Sequence, residues 1–97
     1  MDEIRFEWDP AKAAANARKH GVTFEEARTA FVDDLALVIA DPDHSEAEAR
    51  FVLLGLSAAT RILVVVHAYR SAPETIRIIS ARKASKAERA GYVKRFR

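Results

Sequence analysis

FVLLGLSAATRILVVVHAYRSAPETIRIISA, residues 51–81, holds three apolar runs joined by two short links, and the way those runs connect decides the fold. Phe51 to Leu56, Arg61 to Tyr69 and Glu74 to Ala81 are short, rich in Val, Ile and Leu, and bounded by turn-forming residues, which predicts three β-strands. The links Ser57–Thr60 and Arg70–Pro73 are shorter than a parallel crossover requires, so the strands are expected to run as antiparallel hairpins. Leu35 to Ala40, closed by Asp41-Pro42-Asp43, predicts one more strand ahead of them.

Outward from this meander the hydrophobic period changes. Towards the N-terminus, Ile4, Phe6 and Trp8 alternate with Arg5 and Glu7, the pattern of a short strand. Asp9-Pro10 then opens a helix, because Asp caps well and Pro is tolerated at the first helical position; it runs to Lys19 or His20 and stops at Gly21. Thr23 and Glu26 have the spacing of a capping box and predict a second helix from Phe24 to about Phe31. Ser85 and Glu88 repeat that spacing and predict a last helix to about Arg95. The expected class is α+β, with two N-terminal helices, a four-stranded antiparallel sheet (leaving room for a short extra N-terminal strand) and a C-terminal helix. The helices are expected on one face, leaving the other as a binding surface.

Ninety-seven residues, 49% of them hydrophobic and 31% charged, suit one globular domain, taken as 1–97. The absence of cysteine rules out disulfide and thiolate chemistry. The acidic start MDEIRFEWD does not read as a signal peptide and no apolar run is long enough to span a bilayer, so a cytoplasmic location is expected. Charge is divided unevenly. Residues 1–49 carry five Lys/Arg against twelve Asp/Glu, whereas residues 50–97 carry eleven against two. A basic second half points to a polyanionic partner; the bland alternative is chance segregation on a short chain.

The chemistry-bearing residues cluster late. Arg77-Ile78-Ile79-Ser80-Ala81-Arg82-Lys83 puts two arginines, a serine and a lysine in and beside what should be a strand. Strict alternation sends Arg77 and Arg82 to opposite faces unless a bulge or the strand's end re-aims one of them. Arg82 and Lys83 stand next to a helix N-terminus, which attracts phosphate, and arginine binds phosphate bidentately. Ion pairing with the acidic half is the competing reading. His67 is the best proton-transfer candidate, set against a purely structural role. Lys86, Arg89 and Lys94 on the last helix suit a solvated face or a nucleic-acid rim alike. Asp41, Asp43 and His44 are the only tight cluster with metal-ligand chemistry, and nothing completes the set; neither a metal nor a cofactor is expected.

Phe6 to Lys12, Asn16, Lys19-His20-Gly21-Val22-Thr23-Phe24-Glu25-Glu26-Ala27, Asp41 to Arg50, Arg50-Phe51, Gly55, Val64 to His67, and Arg77 to Ala84 resemble, in order, the signature of BrnT-type toxins, with Glu88-Arg89 and Tyr92 extending the likeness. The resemblance covers nearly the whole chain. It implies a growth-inhibiting ribonuclease toxin of a type II toxin–antitoxin system with a RelE-like fold. It further implies a BrnA-like ribbon-helix-helix antitoxin, two toxins per antitoxin dimer, and operator DNA bound only through the antitoxin. The matched blocks add Arg50 and Lys12 to the candidate RNA-binding residues, alongside Lys83 and Lys86.

The chemistry expected of such a chain is metal-independent cleavage of RNA. The 2′-hydroxyl attacks the adjacent phosphorus, a base takes its proton, cations stabilise the developing charge, and an acid helps the 5′-oxygen leave. Arg77 and Arg82 are expected to supply charge, Ser80 to orient a phosphate or hydroxyl, Lys83 to assist phosphate binding, and His67 to move a proton. A mechanism dominated by Arg/Lys positioning stays open, as do a non-catalytic RNA- or partner-binding module on the same basic face, a purely structural subunit, and a metal-dependent nuclease.

Overall fold

The computed structural model describes residues 4–41, 48–70 and 74–96. Its elements follow the expected order: β1 (Arg5–Glu7), α1 (Pro10–His20), α2 (Phe24–Thr29) running into a 3-10 turn at Ala30–Val32, β2 (Leu37–Ala40), β3 (Phe51–Leu56), β4 (Ile62–Arg70), β5 (Thr75–Lys83) and α3 (Lys86–Lys94).

Local chemistry accounts for the helix ends. The Asp9 carboxylate accepts from the Ala11 amide at 2.9 Å, Pro10 occupies the first turn, and Gly21 ends α1 at φ 69°, in the left-handed region. Thr23 caps α2 by accepting from the Glu26 amide, but the reciprocal half of the expected capping box is missing. The Glu26 carboxylate instead takes the Ser57 hydroxyl at 2.7 Å and the Arg61 guanidinium, fastening α2 to the β3–β4 turn. At α3 the box is complete between Ser85 and Glu88.

The sheet departs from expectation. It has five strands in the order β1-β5-β4-β3-β2, and it is mixed rather than antiparallel. β2 to β5 form the predicted meander, whereas β1 lies parallel to β5, with Phe6 opposite Ile76 and Glu7 opposite Arg77. The rest of the chain up to β5 serves as the long connection that parallel pairing needs. Beyond Arg77, no strand among the described residues neighbours β5 on that side. There the buried Asn16 of α1 takes over: its amide donates to the Ala81 carbonyl at 2.8 Å and accepts the Ala81 N–H at 3.1 Å, as a strand would. Its second amide hydrogen goes to the Val22 carbonyl.

Alternation on β4 sorts the two faces. Leu63, Val65 and His67 point to the side where Val22, Phe24, Ala27, Ala30, Leu53, Ile78 and Ala81 make the core with α1 and α2. Val64, Val66 and Ala68 point to the other side. The prediction that all helices share one face fails here. α3 crosses to this second face, where Glu88 borders a groove with Leu37, Ile39, Val52, Leu54 and Val64. The Tyr92 hydroxyl donates to Asp33 and the Arg95 guanidinium to the Leu35 carbonyl, so the helix is tied to the segment that leads into β2.

Candidate functional site

The pairing of β5 with β4 carries an irregularity between Val66 and His67: His67 faces Ile78, Val66 faces Ser80, and Ile79 has no partner. This extra residue is a β-bulge, and it resets the alternation of the strand. Arg77 faces Ala68, Ser80 faces Val66 and Arg82 faces Val64, so all three stand on the second face. Without the bulge Arg77 would point away from the other two. The two isoleucines Ile76 and Ile78 stay in the interior, so the bulge serves both faces at once.

Arg77 does not stand alone. Arg50 immediately precedes Phe51, which pairs with His67; one step further along both strands Arg50 comes level with Ala68, the residue that Arg77 faces. A polar pocket of about 100 Å³ lies here, lined by Asp9 and Lys12 from the first turn of α1, Glu48 and Arg50 ahead of β3, and Arg77 with the bulge residues Ile78 and Ile79. Three cations from three distant parts of the chain thus share one small depression beside a helix N-terminus, an arrangement suited to an anion. The Nε of Arg50 is buried and has no hydrogen-bond partner among the described residues. A buried unmet donor costs about 1–3 kcal/mol, and a phosphate oxygen would satisfy it.

Arg82 is held differently. Its guanidinium meets Glu88 through two hydrogen bonds of 2.8 and 2.9 Å. The Arg82 bond holds the Glu88 carboxyl at about 2, with the Ser85 amide helping against the opposing effect of burial, and the same pair raises Arg82. Ion pairing was the competing reading, with the acidic N-terminal half as partner; the partner is instead a glutamate of the basic half.

The remaining expected residues separate. His67 is fully buried on the core face, opposite Arg77, Ser80 and Arg82, so the expectation that it moves a proton for them fails on geometry. Its Nδ1 lies 3.1 Å from the Val65 carbonyl and its Nε2 3.2 Å from the Tyr69 hydroxyl. A carbonyl only accepts, so Nδ1 carries the hydrogen and Nε2 accepts from Tyr69. Phe31 stands edge-on at 4.8 Å, and burial pushes the imidazole below its usual range despite the Val65 bond. Lys83 faces Leu63 and so points away from Arg82, while Lys86 is exposed in the first turn of α3. Asp43 and His44 lie outside the described residues; among those residues no group of three or more His, Cys, Asp or Glu is placed to hold a metal. None of the described helices is long and apolar enough to cross a membrane.

A larger depression, about 650 Å³, lies elsewhere: a broad apolar groove along Ile4, Phe6, Val32 and Leu56, with Arg28 and Asp33 as its charged residues. Its chemistry converges on nothing, and the small polar pocket is the better site. The sequence reading missed three contributors to the basic face. Glu48 carried no signal beyond charge, and Asp9 was read only as the cap of α1. Asn16, which fixes Ala81 between Ser80 and Arg82, did carry one, because asparagine is a poor helix former in an otherwise alanine-rich segment.

Comparison with known proteins agrees with this architecture. The crystal structure of the Brucella abortus ribonuclease toxin BrnT, at 24% sequence identity, superposes with a TM-score of 0.64 over 87% of this chain and all of that one, which shows a shared fold. No curated protein matches. The sequence model of the family described as the ribonuclease toxin, BrnT, of type II toxin–antitoxin systems matches residues 8–88, so the chain belongs to the BrnT family.

Proposed function

We propose that this chain cleaves RNA at the basic face built around the β5 bulge, without a metal. The observation that carries the reading is the bulge at Ile79, which brings Arg77, Ser80 and Arg82 to one face, with Arg50 and Lys12 converging on Arg77. The scissile phosphate sits against Arg77 and the unmet Arg50 Nε, with Lys12 closing the far side. As the 2′-hydroxyl attacks phosphorus, the P–O5′ bond breaks to leave a 2′,3′-cyclic phosphate and a 5′-oxygen that takes its proton from water, and these fixed cations stabilise the negative charge growing on the phosphoryl oxygens more than the ground state. Asp9 is occupied as the cap of α1, so Glu48, the other carboxylate lining the pocket, accepts the 2′-hydroxyl proton. Ser80 orients the neighbouring phosphate by hydrogen bonding, and Arg82, steered by Glu88, extends the binding track along the strand. Lys86 adds a peripheral backbone contact and Lys83 a contact to RNA that reaches the sheet's end. His67 has no step in this scheme.

The same reading takes the chain as a RelE-like toxin acting in the cytoplasm. It is neutralised by a BrnA-like ribbon-helix-helix antitoxin in a complex of two toxins on one antitoxin dimer, and that dimer carries the operator contact.

The test is cleavage of RNA in EDTA by the purified chain and by the Arg77→Ala/Arg82→Ala double variant, with folding checked by circular dichroism. Cleavage by the parent and none by a folded variant is expected. RNA binding with no cleavage by a folded parent would favour the non-catalytic module, whose support is the absence of His67 from the basic face. Loss of cleavage in EDTA, restored by a divalent ion, would overturn the metal-free reading.

A further inference from the structure

On β4 the residues opposite Arg77, Ser80 and Arg82 are Ala68, Val66 and Val64, two apart each time on a strand that carries no extra residue. The bulge at Ile79 therefore does more than bring three side chains to one face. It spaces them evenly, with about 6–7 Å between neighbours at the backbone. That interval matches the step between successive phosphates on an extended nucleic acid strand. Neither the Arg77 guanidinium nor the Ser80 hydroxyl has a hydrogen-bond or ion-pair partner among the described residues.

Arg82 is partnered yet keeps a free edge. Its Nη1 and Nη2 each give one hydrogen to Glu88, at 2.8 and 2.9 Å, and Nη1 gives its other to the Lys83 carbonyl at 3.3 Å. A guanidinium carries five N–H groups in a fixed plane. The two left over, on Nε and Nη2, lie side by side and form a second fork, the geometry that takes a phosphate through two parallel bonds. Arg82 is exposed. Glu88 thus holds the guanidinium by one edge and offers the other.

We infer that β5 is a ruler for three consecutive phosphates of one extended RNA strand: the first in the pocket at Arg77 and Arg50, the second at Ser80, the third on the free fork of Arg82. The inference rests on the ribonuclease reading above and adds the reach of the substrate. Arg82 then binds two linkages from the bond that breaks and touches no reacting atom. None of the described residues lining the pocket is aromatic, so the strand is held there through its backbone rather than through stacked bases.

The test is binding of 2′-deoxy oligouridylates with one to four phosphodiester linkages and no terminal phosphate to the full chain. These probes lack the attacking hydroxyl, so affinity is read without cleavage. Affinity should rise with each linkage up to the third, which adds about tenfold, and level off at the fourth. In Arg82→Ala, with folding checked by circular dichroism, the rise should stop at two linkages. The slope of log affinity against log salt for the three-linkage probe should shrink by about 0.7, the share of one phosphate on a single strand. A neutral methylphosphonate at either end linkage should reduce that probe to a two-linkage one for the parent and change nothing for Arg82→Ala. Levelling before the third linkage overturns the proposal, as does a continued tenfold rise at the fourth. So does a parent indifferent to the methylphosphonate, or a folded Arg82→Ala that still gains from the third linkage. Three-step binding by a chain that cuts no RNA sinks the nuclease reading and leaves the ruler standing; RNA cleavage with binding that levels at one linkage does the reverse.

Discussion

Arg82 and Glu88 are joined by two parallel hydrogen bonds while the same glutamate closes the capping box of α3 through the Ser85 amide at 2.7 Å. One side chain thus aims an arginine of the basic face and starts a helix. Glu88→Gln keeps part of the cap and loses the charge. It should lower stability by about 1 kcal/mol, a modest figure because both side chains are partly exposed and screened. The folded carboxyl is held at about 2 against an ordinary 4.5, so the contribution is complete above about 4.5 and vanishes as pH falls through about 2. Urea denaturation of parent and variant should therefore differ at neutral pH and converge at the acid end of that window. A difference independent of pH would show that the cap, not the charge, carries the effect.

Arg50 presents the opposite balance of activity against stability. Its buried Nε has no partner among the described residues, so Arg50→Met should leave thermal stability unchanged or raise it by up to about 1 kcal/mol. Cleavage should fall about 10²–10³-fold, the usual cost of losing one fixed donor to a developing oxyanion. Melting curves and single-turnover cleavage on the same sample check both. A variant that is clearly less stable would mean that Arg50 is structural.

Asn16 is predicted to be costlier than any surface residue. Asn16→Ala strands the Ala81 N–H, the Ala81 carbonyl and the Val22 carbonyl, and should cost about 3 kcal/mol. The urea midpoint should drop with an unchanged m-value. Asn16→Asp should be as damaging, because a carboxylate has no hydrogen to give the two carbonyls.

His67 provides a control for the mechanism. The buried imidazole is held neutral, with its folded pKa below the ordinary 6.5. The unfolded chain therefore binds the proton first, and stability falls as pH drops from about 6.5 towards the folded value. His67→Phe should abolish that slope while leaving the pH profile of kcat in place. A profile that loses a limb on this substitution would return His67 to the chemistry.

Gly55 tests the close approach of β3 to the helical layer. A Cβ there would meet the Ala30 carbonyl oxygen and Leu53 Cδ2 at 2.9 Å and the Ala36 Cβ at 3.1 Å. Leu53 can rotate but the Ala30 backbone cannot, so Gly55→Ala should cost about 1–3 kcal/mol in thermal or urea unfolding.

The helices and the meander were legible because their signals are local: Asp9-Pro10, Gly21 and the Ser85–Glu88 spacing act within a few residues, and short links fix hairpins. The parallel seat of β1, the crossing of α3 to the second face and the bulge are tertiary outcomes. Each follows from partners far away in sequence, Ile76 for Phe6 and Asp33 for Tyr92 among them. The candidate residues divide in the same way. Arg77, Ser80 and Arg82 were singled out from their types, but only the register shift puts them on one face, and only pairing sends His67 inside and Lys83 away.

The parallel pairing of β1 with β5 also sets a clock on synthesis. The basic pocket draws on residues 9–12, 48–50 and 77–79, and its floor is fixed only when Glu7 finds Arg77. A growing chain makes its N-terminal pieces first, yet none of them can assemble the pocket until β5 has left the ribosome. The long sequence span of that contact makes closure of the pocket a late folding step.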